Sequence, residues 1–391
     1  MVLREVLGGA LAALTVLPTL DALGRLLRLV SPRQEAGEET FEPRRLVALV
    51  PSRAEGTLAL SLCRDLRREG IEPFVILDGG GDATAFHGEA FRTLAKEPAG
   101  PTKAAALAFA AEHLRAELDA SDFVLVFDAD MRLPERWREE LRVPVGTEVF
   151  QAPARPAGTP PAGAARVEAF SLAVATRVED LERDVRGLPV RLRGKAMGFT
   201  PGAFRLAFAE PLRTMAEDSE ATVRLLAHGV RIRALAAPTA FDEPAGASSL
   251  AAPRARWFAS HLKLAVVGLA DFLRLARRSP GGAFVLGCDL YLRPRALLLP
   301  AVLTAFVVSL FVLPVGAVAA AISAVALVSE LLYLRRARKR LGFPPDIPAV
   351  TAADLLATAG MWMGAVLRGI AQPGRWHRAR PARESRSGSG G

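Results

Sequence analysis

The chain has 391 residues, a net charge of +9 and a hydrophobic content of 51%. This length accommodates one large domain with additional elements, and the hydrophobic content indicates membrane segments. The positive charge is concentrated beside apolar segments and in residues 375–386, which favours anionic lipid head groups over nucleic acid as the partner. Cys63 and Cys288 form no metal-binding or redox motif, so both are interpreted as reduced packing residues.

Residues 1–30 are predicted to form an N-terminal transmembrane anchor. The apolar segment 6–20 approaches the roughly 20 residues that one crossing needs only if it extends to about Leu23. A cleaved signal peptide is the alternative, but no small-x-small cleavage site is evident before the basic residues that follow. These basic residues suit the cytoplasmic end of an anchor, and they are Arg25, Arg28 and Arg33.

Residues 41–252 are predicted to form an α/β domain with a mostly parallel sheet, because short apolar runs alternate with helical periods. The predicted strands are residues 46–50, 74–77, 123–127, 149–151 and 189–192. The predicted helices are a segment from residue 58 that stops at Gly70, and residues 102–120, 167–185 and 217–228. In open parallel sheets the ligand crevice lies beyond the carboxyl ends of the strands, so Pro51, Asp78 and Asp128 are expected to converge on one nucleotide.

Residues 253–295 are predicted to form an amphipathic region with one helix in the membrane interface. Its apolar face recurs at helical spacing from Phe258 to Leu273, and basic residues flank that face. A core helix of the α/β domain is the alternative. The residues of the apolar face are Phe258, Leu262, Val266, Leu269 and Leu273.

Residues 296–334 are predicted to form a transmembrane hairpin, since this almost uncharged stretch is about twice as long as one crossing and Pro314-Val315-Gly316 breaks it. Both flanks are basic, which places both ends on the cytoplasmic side; a buried soluble helix pair is the alternative. Residues 335–391 are predicted to be a cytoplasmic basic segment with a second amphipathic helix, 354–370, and a disordered end, 385–391.

Asp128-Ala129-Asp130 is the strongest signal for chemistry, because two carboxylates directly follow the wholly apolar run 123–127. A buried strand here carries charge to a sheet edge, and Mg²⁺ or Mn²⁺ prefers such oxygen ligands. This pattern predicts a site for a metal-bound diphosphate. The alternative is an ordinary turn at the end of a strand.

The order of motifs resembles the inverting glycosyltransferases of family 2, in their membrane-attached bacterial form with a GT-A fold. Pro51-Ser52-Arg53-Ala54-Glu55 resembles the opening Pro-x-Arg-Asn-Glu turn, and the segment 77–84 resembles the turn that holds the uridine. Lys103 begins a segment like Lys-Ala-x-Ala-Leu, and Asp128 with Asp130 resembles the metal motif. The resemblance implies that Asp128 and Asp130 bind the metal and that the donor nucleotide contacts Pro51, Arg53, Glu55, Asp78, Lys103 and Asp128.

Three later segments extend the resemblance: residues 194–199 resemble Gly-x-Gly/Ala-Met-x-Phe, residues 217–220 resemble Glu-Asp-x-Glu, and Arg256-Trp257 resembles the end of Gln-x-x-Arg-Trp. They imply that Asp218 is the general base. The residues implied at the acceptor or diphosphate are Gly194, Met197, Glu217, Arg256 and Trp257. Pro253 replaces the Gln, which favours transfer of a single sugar over polymer extension.

The resemblance thus implies a membrane-bound glycosyltransferase at the cytoplasmic face of a bacterial inner membrane. It would use a UDP-sugar and Mg²⁺ or Mn²⁺, act on a lipid-linked or saccharide acceptor, and contact membrane lipids but no nucleic acid. A non-catalytic scaffold is the first alternative, because Ala54, Leu77 and Pro253 depart from the motifs. A nucleotidyltransferase is the second, although no triphosphate-binding loop follows the first strand.

Overall fold

The fold is that of a computed structural model in which the described residues are 2–30, 37–53, 55–79, 83–86, 88–89, 91–100, 102–242, 251–292, 295–311, 316–342 and 350–371. The predicted disordered end 385–391 and the proline of the predicted hairpin turn lie outside these residues.

Twelve strands form three sheets in the described part of the chain. The strands are β1 (Thr40–Phe41), β2 (Arg45–Ser52), β3 (Glu72–Asp78), β4 (Arg92–Lys96), β5 (Asp122–Val126), β6 (Met131–Arg132), β7 (Val143–Pro144), β8 (Val149–Gln151), β9 (Ala154–Pro156), β10 (Met197–Phe199), β11 (Ile232–Ala234) and β12 (Ala240–Asp242).

The helices surround the main sheet and continue beyond it toward the C-terminus. They are α1 (Val2–Val30), α2 (Gly56–Arg68), α3 (Lys103–His113), α4 (Trp137–Glu140), α5 (Ala164–Val174), α6 (Asp180–Val185), α7 (Pro201–Phe208), α8 (Glu217–Ala227), α9 (Ala251–Val267), α10 (Leu269–Arg278), α11 (Pro280–Tyr291), α12 (Arg295–Phe311), α13 (Ala317–Arg340) and α14 (Ala352–Ala371). A π-helical turn, Ala175–Glu179, joins α5 to α6.

The main sheet has seven strands in the order β11-β8-β10-β5-β2-β3-β4. All neighbouring pairs are parallel except the two pairs that β10 makes, which are antiparallel. The predicted α/β class with a mostly parallel sheet is confirmed. Because β2, β3 and β5 run side by side in the same direction, their carboxyl ends, and the motifs that follow them, lie along one edge.

The strand predicted at residues 189–192 is wrong, and the strand of this region is β10 instead. Val190 and Leu192 are fully buried in the core, which explains their strand-like pattern. The Leu192 amide donates to the Thr222 hydroxyl at 3.0 Å rather than to a neighbouring strand. At the centre of β10, a Cβ on Gly198 would lie 2.1 Å from the ring of Phe150, so only glycine allows β8 and β10 to pair here.

Other predicted elements are confirmed with changed limits. The helix predicted at residues 102–120 ends at His113, and the edge strand β4 was not predicted. The single amphipathic helix is two helices, α9 and α10, separated at Gly268. Part of this region is core, because Leu264 and Leu275 pack beneath α8. The apolar face itself is exposed at Leu262, Val266, Leu269 and Leu273.

Helices α1, α12 and α13 pack together as an apolar bundle. By length and composition, residues 10–30 of α1 and all of α13 could each cross a membrane, and α12 supplies a shorter apolar helix. Helices α1 and α13 run in the same direction, with the Thr19 hydroxyl donating to the Ile322 carbonyl at 3.1 Å. The predicted anchor and hairpin are therefore present as helices, and their insertion in a bilayer stays a prediction.

A series of buried ion pairs joins this bundle to the α/β domain, and we name it the buried ion chain. Within the bundle Arg25 contacts Glu330 at 2.7 Å, and Arg295 contacts Glu330 at 3.1 Å. Arg295 also contacts Glu179, in the π-helical turn of the α/β domain. The members of the chain are Arg25, Glu330, Arg295, Glu179, Arg183, Asp289, Asp180 and Arg193.

The domain half of the buried ion chain ends directly beside the segment that begins at Gly194. Arg183 is 1% exposed and contacts Asp289 at 2.8 Å. Arg193 forms two hydrogen bonds with Asp180, at 2.7 and 2.8 Å. Each of these buried charges faces an opposite charge, which is the condition under which burial of ions is tolerated.

Replacement of Arg183 by Met is expected to lower the free energy of unfolding by about 3–5 kcal/mol, because the Asp289 and Asp180 carboxylates would stay buried without this cation. Denaturant-induced unfolding in detergent measures the change. Arg136→Ala, which removes an exposed i,i+3 pair with Glu139, is the control and should leave the transition where it is. If Arg183→Met and the wild type unfold at the same denaturant concentration, the expected contribution of the buried ion chain to stability is wrong.

Candidate active site

Lys103 brings three of the predicted motifs together. This lysine begins α3, and its ammonium donates to a carboxylate oxygen of Asp128 and, at 3.0 Å, to the carbonyl of Gly194. The same nitrogen lies 3.7 Å from Glu217. Burial disfavours the charged form of Lys103, but Asp128 and Glu217 outweigh this effect and raise its pKa. The turn after β5, the segment before β10 and the start of α8 therefore share one charged cluster.

Asp130 lies in the acidic part of this cluster. Burial and then the nearby carboxylates, foremost Asp242, raise the pKa of Asp130 to about 7, although Lys195 opposes the shift. Lys195 itself donates to Asp242, which ends β12, the central strand of the three-stranded sheet. Asp128 and Glu55 add further negative charge around Asp130. Negative charge thus exceeds positive charge around Asp130.

Asp78, at the end of β3, organises the neighbouring turn. One of its carboxylate oxygens accepts from Arg53 at 2.6 Å, and the other accepts from the Gly100 amide at 2.6 Å. The Lys96 ammonium lies 3.5 Å away. The structure brings Asp78 and Arg53 together, as expected for two residues predicted at one nucleotide pocket.

Asp218 occupies the first turn of α8, next to Glu217. One of its carboxylate oxygens lies 3.9 Å from Arg191, and a Cβ on Gly194 would lie 3.7 Å from the same oxygen. Burial, opposed by Lys103 and reinforced by Asp218, raises the pKa of Glu217 to about 7. The predicted general base is therefore within the same cluster as Lys103.

Trp257, on α9, adds an aromatic wall beside Asp218. The Arg191 guanidinium lies 5.7 Å from the centre of the Trp257 ring, and the His261 ring lies 3.7 Å from it. Trp362 of α14 packs edge-on at 5.7 Å. Arg256 precedes Trp257 on the same helix and is partly buried. A partly buried Trp face with a nearby Arg suits contact with a sugar and a phosphate.

The remaining predicted residues have different positions. Pro51 lies in β2 near its end, and Glu55 is the residue before α2 that contributes charge at Asp130. Met197 is fully buried in the core beneath the sheet, so its side chain supports β10 rather than lining the cluster. The part assigned to Met197 at the acceptor stays a prediction.

Sequence reasoning missed Lys195, Asp242 and Arg191 as members of the site. Lys195 lies in the segment 194–199, which resembles a family motif. Its position directly after Gly194 could have identified it as a site residue. Asp242 follows a two-residue apolar run and comes 112 positions after Asp130, by subtraction of residue numbers, so no local pattern pointed to it. Arg191 was assigned to a strand that does not form.

The carboxylates around Asp130 suit a divalent cation that takes only one or two of its ligands from the protein. In the parts of the chain that the structure describes, no group of three or more His, Cys, Asp or Glu side chains could hold a metal ion. Mg²⁺ is commonly bound by one or two carboxylates together with substrate phosphates and water. The excess of carboxylates around Asp130, with its pKa raised to about 7, is consistent with that arrangement.

A comparison with solved structures finds a mannosyltransferase, PcManGT from Pyrobaculum calidifontis, in complex with GDP-Man and Mn²⁺. The TM-score is 0.58 at 17% sequence identity, over 94% of this chain and 99% of that chain. The chain has a glycosyltransferase-like fold. S. aureus TarS gives a TM-score of 0.34 at 12% identity, over 82% of this chain and 55% of that chain. No protein-family model and no curated protein matches the sequence.

Replacement of Lys103 by Met is expected to destabilise this glycosyltransferase-like fold by about 3 kcal/mol at pH 8 and by less at pH 6. At pH 8 the Glu217 carboxylate is ionised and needs the cation as its counter-charge. As pH falls through the raised Glu217 pKa of about 7, that group becomes neutral and the penalty shrinks. Unfolding free energies of variant and wild type at both pH values measure the difference.

The control for Lys103→Met is Arg92→Met, which breaks a largely exposed pair with Glu117. Its effect should be small at pH 6 and at pH 8. A Lys103→Met penalty that is the same at both pH values would show that Lys103 does not neutralise Glu217.

Proposed function

We propose that the protein is a membrane-bound inverting glycosyltransferase that transfers one sugar from a nucleotide-sugar to a lipid-linked or saccharide acceptor at the cytoplasmic face. The observation that carries this proposal is the contact of Lys103 with Asp128, Gly194 and Glu217. Through that contact the Asp-x-Asp turn and the Glu-Asp start of α8 lie in one cluster on the glycosyltransferase-like fold.

The roles proposed for the residues follow from their chemistry. Asp218 takes the proton of the acceptor hydroxyl, so the hydroxyl oxygen attacks the anomeric carbon on the face opposite the departing diphosphate. Its position 3.9 Å from Arg191 keeps a cation beside the carboxylate. A divalent metal ion, held by Asp130 and Asp128, would supply positive charge to the diphosphate as it leaves.

The donor side is proposed to include Arg53, Asp78 and Lys103, and the acceptor side Glu217, Arg256 and Trp257. A UDP-sugar is the donor implied by the resemblance of residues 77–84 to a uridine-binding turn. A GDP-sugar is the second candidate, because PcManGT binds GDP-Man. The pocket that would select the base includes Asp78, whose two oxygens are bound to Arg53 and Gly100.

The proposed location is the inner membrane of a bacterium, with the α/β domain in the cytoplasm. The lengths and compositions of α1 and α13 support this, and so do the basic residues at the end of α13. The exposed apolar face from Leu262 to Leu273 supports contact with lipid near the site.

Purified protein in nanodiscs is expected to release a nucleoside diphosphate from at least one member of a panel of UDP- and GDP-sugars with Mn²⁺. Asp218→Asn should lower the rate about 10²- to 10⁴-fold, because the variant has no carboxylate to accept the proton. Asp130→Asn should require more Mn²⁺. Glu139→Gln, at an exposed position on α4, is the matched control and should keep the wild-type rate.

Three outcomes of the donor screen separate the alternatives. Release that survives Asp218→Asn would contradict the proposed base. Release of pyrophosphate from nucleoside triphosphates would support a nucleotidyltransferase. No product from any donor would favour the scaffold.

Mn²⁺ activation is expected to weaken as pH falls below 7. The Asp130 pKa of about 7 means that protons compete with the metal for this carboxylate, so the half-saturating Mn²⁺ concentration should rise about tenfold per pH unit below 7. Asp242→Asn removes the carboxylate that raises this pKa most, and should move the dependence to lower pH. Equal half-saturating concentrations at pH 6 and pH 8 would contradict the assignment.

A further inference from the structure

Ser219, directly after the proposed base, connects Asp218 to a buried histidine. One oxygen of the Asp218 carboxylate, Oδ1, lies 2.7 Å from the Ser219 amide and 3.2 Å from the Ser219 hydroxyl. The other oxygen, Oδ2, lies toward Gly194 and Arg191. Oδ1 is therefore held by Ser219, and Oδ2 is the oxygen that faces the loop of the proposed acceptor side.

The Ser219 hydroxyl has two acceptors for its single proton. Its oxygen lies 3.2 Å from Asp218 Oδ1 and 3.2 Å from Nε2 of His261, a side chain that α9 places against α8. Ser219 is fully buried and His261 is 3% exposed, so water does not substitute for either contact. The direction of this hydroxyl therefore depends on which of the two groups is the better acceptor.

The hydrogen-bond pattern fixes the state of His261. Its Nδ1 lies 2.9 Å from the Trp257 carbonyl, which can only accept, so Nδ1 carries a proton. Burial and then the Arg191 charge lower the pKa of His261 to about 4, so the ring is neutral near pH 7. A neutral ring with a proton on Nδ1 presents a bare lone pair at Nε2, toward Ser219.

We propose that His261 is a positioning residue for the reaction, because its Nε2 accepts a hydrogen bond from the Ser219 hydroxyl whenever Asp218 becomes neutral. This inference rests on the proposed function, in which Asp218 is the base. Ionised Asp218 is the stronger acceptor, so the Ser219 hydroxyl donates to Oδ1 before transfer. Once Oδ2 has taken a proton, Oδ1 is a weaker acceptor, and the hydroxyl turns to Nε2.

The acceptor hydroxyl loses its proton to Asp218 as the sugar is transferred. The O–H bond of the acceptor breaks, and its proton goes to Oδ2 of Asp218. The oxygen's electron pair forms the bond to the anomeric carbon, while the bond from that carbon to the diphosphate oxygen breaks and its electron pair leaves with the nucleoside diphosphate. His261 itself neither gains nor loses a proton, and its contribution is to keep Ser219 hydrogen-bonded in both states of Asp218.

Other charges near these groups stay the same when His261 is replaced. Asp218 is influenced by Arg191, Lys103 and Glu217, and His261 by Arg191 and Asp289. If replacing His261 shifts the pH–rate profile only when Ser219 is present, the shift is therefore due to the Ser219 hydroxyl and not to these charged groups.

His261→Phe should move the acid limb of the pH–rate profile to lower pH by about half a unit. An aromatic ring still packs against Trp257 but the acceptor is lost, so the protonated form of Asp218 is less favoured. Ser219→Ala should move the limb by a similar amount to higher pH, because the ionised form loses a donor. The double variant should match Ser219→Ala, since His261 acts through Ser219.

The measurement is nucleoside diphosphate release from the donor with the highest rate in the screen, using full-length protein in nanodiscs with saturating Mn²⁺. His261→Gln, whose side-chain carbonyl can replace Nε2 as acceptor, is the control and should keep the wild-type limb. Thermal unfolding of each variant shows that it is folded. If His261→Phe does not fold, His261→Leu, which also lacks the acceptor, takes its place.

An unchanged limb in His261→Phe, or a limb in Ser219→Ala that is unchanged or moves to lower pH, would overturn the inference. A purely structural role would lower the rate equally at every pH and leave the limb in place. Failure of the wild type to release nucleotide from any donor would instead count against the proposed function.

Discussion

The ammonium of Lys103 is the interaction on which the arrangement of the site depends. Two acidic motifs that are distant in sequence, Asp128 after β5 and Glu217 at the start of α8, contact this one cation. Without it their carboxylates would repel each other in a partly buried space. The third contact, to the Gly194 carbonyl, holds the segment after Arg193 against the same point.

Two kinds of buried charge occur side by side in this molecule. In the buried ion chain the charges are matched, as Arg193 with Asp180 and Arg183 with Asp289 show. Around Asp130 and Glu217 negative charge is in excess, and both carboxyl groups have a pKa of about 7. The matched ion pairs stabilise the fold, while the carboxylates without a matching cation are available to bind a metal ion or a proton.

The parallel strands and the residues at their ends could be predicted from the sequence, because a buried strand followed by a charged turn is a local pattern. The helix α8, with its acidic first turn, was predictable for the same reason. Asp242 and His261 could not be predicted, since their roles arise from contacts between distant segments. Residues 189–192 were predicted as a strand that does not form. Their apolar pattern comes from burial of Val190 and Leu192 and not from strand pairing.

The pairing of Arg25 with Glu330 has a consequence for biosynthesis. The two residues are 305 positions apart, so at about 5–20 residues per second the ribosome completes the second one roughly 15–60 s after the first. The other acidic partner of Arg25 lies one turn away in the same helix: Asp21 contacts it at 2.8 Å in the finished fold and is already present during that interval. Asp21 stays paired with Arg25 in the finished fold, so the N-terminal helix brings one counter-ion of its own and gains Glu330 as a second one when α13 has been made.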